Sequence, residues 1–219
     1  MSSSNWIRWC GLATLGAGVL FLIGDLIIVV AGVDFHSAGS QTTTSYASVF
    51  LLWLLGGALL LLGLVGLHAR QSEATGVLGL VGFLAAFSGT VLMVGFFWYS
   101  LFITPLVATE APELHETIGG PTGEPLGAIL SVLAYSAGWV LFGVAVLRAG
   151  VYPRVAAIAV MVGSVLALVP VPGSSMVFDA AIAWLGFVLF AGRGAPTEQP
   201  STRVSRTSEN SPTSTRLGG

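Results

Sequence analysis

Two aspartates, Asp25 and Asp179, stand inside long apolar runs of a 219-residue chain, and they are the residues best placed to do chemistry. An aspartate at the centre of a membrane helix costs about 2.5–3.5 kcal/mol on insertion scales, so its presence there is a functional hypothesis by default. Both lie in the half of their runs that carries no arginine, at similar depth, and no arginine is at hand to pair with either. Facing each other in a low-dielectric interior, two such carboxyls would share a proton, because burial and like charge both oppose double ionisation. The pair is therefore a candidate proton or ion site. The simpler role, and the favoured one, is hydrogen bonding to a backbone group or to a Ser, Thr or Tyr of a neighbouring helix.

A second group is Asp34, His36, Glu110, Glu113, His115 and Glu116, all in polar stretches. Imidazole and carboxylate suit a divalent ion. However, Glu113-Leu114-His115-Glu116 lacks the His-Glu-x-x-His spacing that puts two histidines on one helix face. A solvated acidic loop is the expectation, and no metal or cofactor is assigned. His68 has no second intramembrane histidine with which to hold a haem, and Ser88-Gly89 has no intramembrane histidine to serve as base. With no lysine and no basic patch, phosphate-cradling loops and nucleic-acid binding drop out. The single cysteine, Cys10, excludes an internal disulfide or a Cys-x-x-Cys pair and is expected to be a small buried thiol.

The elements that position these residues follow from composition. The chain is 54% hydrophobic and 8% charged, against about a quarter charged in an ordinary soluble domain. Several apolar runs exceed the roughly 18–20 residues that a helix needs to cross hydrocarbon. The sequence predicts an all-α transmembrane bundle of six spans: 6–33, 46–67, 76–103, 125–147, 155–169 and 174–192. The first run exceeds a cleavable signal core, so an uncleaved anchor is expected. The last two spans are short, and the alternative there is a re-entrant hairpin about Pro170-Val171-Pro172-Gly173. Phe96, Phe97, Trp98, Tyr99 and Phe102 read as an aromatic belt. Thr109 to Thr117 reads as a short surface helix, with Thr109 as its cap and Pro112 in its first turn. Residues 1–193 form the membrane domain. Residues 194–219, rich in Ser, Thr and Pro, are expected to be a disordered tail.

Arg8, Arg70, Arg148, Arg154 and Arg193 all flank one side of a six-span arrangement, whereas the other side carries Asp34 and the glutamate loop. By the positive-inside rule both termini are cytoplasmic. Gly63, Gly143 and Gly186 each precede a basic boundary, a faint repeat that fits three successive helical hairpins. Ala159, Gly163 and Ala167, and likewise Ala85 with Gly89, form small-residue faces for close helix packing.

The passage Leu141-Phe142-Gly143-Val144-Ala145-Val146-Leu147-Arg148-Ala149-Gly150-Val151-Tyr152-Pro153-Arg154 resembles the corresponding turn of a group of bacterial six-span membrane proteins of unknown function. That resemblance implies the fold and a bacterial plasma membrane, and it implies no activity. The leading functional expectation is a non-enzymatic structural or accessory membrane protein. Its partners are the lipid bilayer and a second copy or another membrane protein. The alternative is a small proton- or ion-coupled transporter that uses Asp25 and Asp179.

Overall fold

A computed structural model describes residues 3–119 and 126–192. Arg193 and the expected tail lie outside the described residues. The described part is all-helical: α1 Ser3–Ala31, α2 Ala38–Gln41, α3 Thr44–Phe102, α4 Thr104–Glu110, α5 Pro112–Gly119, α6 Leu126–Ala149, α7 Arg154–Leu166 and α8 Met176–Phe190. Three stretches are long and apolar enough to cross a membrane: Asn5–Ala31, Thr44–Glu110 and Leu126–Ala149. With 13 and 15 residues, α7 and α8 rise only about 20–23 Å at 1.5 Å per residue.

Helix α3 is not one rod. Gly76 takes φ 54°, ψ −140°, a conformation open to glycine alone at little cost. There the chain reverses, and the limbs 44–75 and 77–102 pack antiparallel. His68 stacks on Phe83 with ring centroids 4.5 Å apart, and Trp53 meets Phe97 at 5.3 Å near the far end. The expected loop after Leu67 is therefore helical almost to its turn. Polar side chains need not end a helix once it has left the apolar zone.

The six longer segments form a closed ring in which each is antiparallel to its neighbours. α1 packs on the first limb of α3, the second limb packs on α6, α6 packs on α7, α7 on α8, and α8 returns to α1. Glycines set the spacing. A methyl carbon added at Gly11 would sit 2.5 Å from the Phe190 backbone nitrogen, and one at Gly138 would sit 2.5 Å from the Ala85 carbonyl oxygen. Gly63, Gly143 and Gly186 are all such contacts, against Thr14, Met161 and Leu15. Gly163 meets the Phe178 backbone and Gly89 meets Ala134 and Tyr135. The small-residue faces are thus used inside the bundle. The ring is filled by Trp139, Phe142, Phe178, Leu60, Leu64 and Ile182, all fully buried. Its outward faces remain apolar, with Leu26, Leu62, Leu84, Leu130 and Val162 about half exposed.

All four described arginines gather at one end. The Arg8 guanidinium lies over the Phe190 ring at 5.3 Å, and that of Arg70 lies over Tyr152 at 5.8 Å. Arg70 also donates to the Gly192 carbonyl at 3.4 Å. Tyr152 donates to the Leu67 carbonyl at 3.3 Å and pins the α6–α7 turn against α3. Burial pushes the Tyr152 hydroxyl above its ordinary value, against a smaller opposing pull from Arg70.

The opposite end departs from expectation in three places. Thr109 does not cap a helix: it sits within α4 and donates to the Pro105 and Leu106 carbonyls at 3.1 Å, while α5 starts at Pro112. The supposed belt is divided, with Trp98 and Phe102 exposed and Phe97 buried. A helical period of 3.6 puts adjacent aromatics on different faces. The polar stretch 34–45 contains α2, which packs on α4 and folds over the bundle end.

Candidate functional site

Asp25 lies in the last two turns of α1, and Asp179 lies in the first turn of α8. Because these helices run antiparallel in contact, the topology brings the two carboxyls together at the acidic end of the bundle. They are within hydrogen-bonding reach of each other. Both residues are buried, with relative exposures of 1% and 3%.

The surroundings of Asp25 are more than one neighbour. Ser175 Oγ, just ahead of α8, donates to Asp25 Oδ2. The Trp53 side chain, on the first limb of α3, lies within hydrogen-bonding reach of it. Asp25 thereby links α1 to α8 and to α3. Asp179 Oδ2 has no hydrogen-bond partner. Tyr135 of α6, packed against Phe178 with ring centroids 5.4 Å apart, places its phenol within electrostatic range of both carboxyls. Sequence reading found the two aspartates by the cost of burying them. It missed Ser175, although Ser175 precedes Asp179 by one helical turn, and it missed Trp53 and Tyr135, which no local spacing relates to either aspartate.

The polar stretches are organised by local hydrogen bonds. Among the described residues no three His, Cys, Asp or Glu side chains converge to hold an ion. The burial of Glu116 is outside the described residues. Asp34 accepts from the His36 backbone N–H at 2.9 Å and donates its own N–H to Ser40 at 3.1 Å, which closes the loop on itself. His115 turns inward to Gln41 Oε1 at 2.5 Å, and Gln41 Nε2 donates to the Phe35 carbonyl at 2.7 Å. Glu110 and Glu113 are exposed. His115 thus ties α5 to α2.

Beneath that tie is a cavity of about 580 Å³ at the acidic end. One wall is aromatic: Tyr46, Phe50 and Trp53 from the first limb, Phe96 and Phe97 from the second, and Phe35 from the loop before α2. The facing wall is aliphatic, from Ala128, Ile129, Val132 and Leu133 of α6 and from Ala167 and Leu168 after α7. His36, Gln41, His115, Tyr99, Ser100 and Thr104 supply polar atoms around it. Neither aspartate lines the cavity, but Trp53 stands between it and Asp25. The spacing of Tyr46, Phe50 and Trp53 at i, i+4, i+7 marks one helix face and was the available signal. It does not by itself distinguish a cavity wall from an ordinary core face.

Compared with protein-family models, with curated proteins and with solved structures, the chain matches none.

Proposed function

We propose that this chain is a six-span protein of a bacterial plasma membrane, with both termini cytoplasmic, and that it acts as a non-enzymatic accessory component. In this reading Asp25 and Asp179 hold helices together. The observation that carries it is the hydrogen bond that buried Asp25 accepts from Ser175, with the Trp53 side chain also in reach, in an interior where neither aspartate lines the cavity. A buried carboxyl with partners on two other helices fixes their register, and removing such a group leaves the partners unpaired. The six-span count is supported by six antiparallel segments whose arginines share one end, which also fits the positive-inside rule. The apolar turn after α7, with Leu168, Val169 and Val171 exposed, extends the hydrophobic length of the short last hairpin. The likeness to bacterial six-span proteins in the 141–154 turn agrees with this setting.

A second reading, a proton- or ion-coupled transporter, is favoured by one observation. The carboxyl pair, with Asp179 Oδ2 unpartnered, lies directly behind Trp53 of the cavity wall. Proteoliposomes containing an internal pH dye separate the two. The accessory reading expects no proton flux beyond that of protein-free vesicles, under an imposed potential, from native protein or from Asp25→Asn and Asp179→Asn. A flux in native protein that either variant abolishes, with its melting temperature kept, replaces it with the transporter.

A further inference from the structure

We propose that the cavity at the acidic end binds an uncharged, lipid-soluble amphiphile with a flat ring body and a hydroxyl or carbonyl head. Its 580 Å³ falls in the range of small-molecule sites, about 300–1,000 Å³. A ring between the aromatic wall of Phe50, Trp53 and Phe97 and the aliphatic wall of Val132 would gain stacking on one face and dispersion contacts on the other. Among the described lining residues none is Asp, Glu, Lys or Arg. A cationic headgroup would lose its hydration without a counter-charge, and an anionic one would meet only the His36 and His115 imidazoles, a cost that favours neutral molecules.

The lining reaches the surface on two sides, at exposed His36 and on the aliphatic flank. Ile129, Leu133 and Leu168 line the cavity and are also 43%, 50% and 41% exposed. A ligand reaching the cavity past these three aliphatic side chains would come from hydrocarbon. Inside, the polar groups are already engaged: the Tyr46 hydroxyl is within hydrogen-bonding reach of Ser100 and Thr104, and His115 bonds Gln41. The head would therefore join a satisfied network as a further donor or acceptor at modest strength, leaving most of the affinity to the apolar body.

This inference rests on the membrane setting proposed above, and neither aspartate lines the cavity. The test is photolabelling of the full chain in phosphatidylcholine nanodiscs with a diazirine-bearing alkylphenol, followed by peptide mapping. Saturable labelling within 46–53, 93–107 or 128–133 is expected. Unlabelled alkylphenol should compete, and an alkyl sulfate of the same chain length should not. Val132→Trp, which fills the cavity, should cut labelling about tenfold or more, while Leu62→Trp, on an outward face that does not line the cavity, should label as the native protein does. If Val132→Trp fails to fold, Ala128→Phe is read in its place. Labelling that rises linearly over all lipid-facing positions, that the sulfate competes equally, or that survives cavity filling in a protein of native melting temperature overturns the proposal. Loss of Leu62→Trp labelling with the native fold retained would show that added bulk outside the cavity lowers labelling as well, and would overturn the proposal. Failure of the six-span topology instead would appear as wrong-side cysteine labelling, a separate measurement.

Discussion

Asp25 is held by groups that lie far away in sequence. Ser175 is 150 positions away along the chain, and Trp53 belongs to another helix, so neither contact could be read from spacing. The aspartates themselves were legible because an ionisable side chain in an apolar run costs energy wherever it points. Their meeting was legible only as a conditional, since it depends on α1 and α8 being neighbours. If the pair is structural, Ser175→Ala removes the donor to a buried carboxyl and should destabilise the detergent-solubilised protein by about 1–3 kcal/mol, the usual cost of an orphaned buried acceptor. Thermal melting checks this against Ser174→Ala, whose hydroxyl bonds only the exposed Val169 carbonyl. Equal melting temperatures for the two variants would remove Ser175 from the account.

At the scale of the helices, the apolar runs located the segments well because hydrocarbon imposes a length. Their ends were less legible. The 68–73 stretch is polar and yet helical, because backbone hydrogen bonding continues until Gly76 makes the turn. The helix at 109–117 was misplaced because the hydroxyl of Thr109 bonds back to its own turn, an option open to any threonine in a helix. Glycine seams were foreseen as small-residue faces, but their partners were not. Gly138 faces the Ala85 carbonyl so closely that a side chain would force α6 off the second limb of α3. Gly138→Val should cost about 1–3 kcal/mol or more by overpacking. Gly95→Val, where an added carbon meets nothing within 4 Å, should cost far less in the same melting assay. Similar losses at both sites would argue against the packed seam.

For the whole molecule, a ring of antiparallel segments needs an even number of members to close, and six satisfy that condition. Sequence supplied the sidedness through its arginines. The closure of α8 onto α1 depends on contacts such as Gly11 with Phe190 and Gly18 with Ala183. Sequence showed only glycine-rich helices there. The cavity was least legible of all, since it is made where four segments diverge at the acidic end and no single stretch announces it. The claim on which the functional account rests is that all six segments cross the membrane with the arginine ends inside. Single cysteines placed at Ser40, Ser72, Gly150, Gly173 and Glu113 in a Cys10→Ala background test it by labelling intact cells with a membrane-impermeant maleimide. Positions 40, 113 and 173 are predicted to label from outside, and positions 72 and 150 only after the membrane is opened. External labelling at 72 or 150, or protection of 173 alongside labelling of 40 and 113, would contradict the six-span bundle.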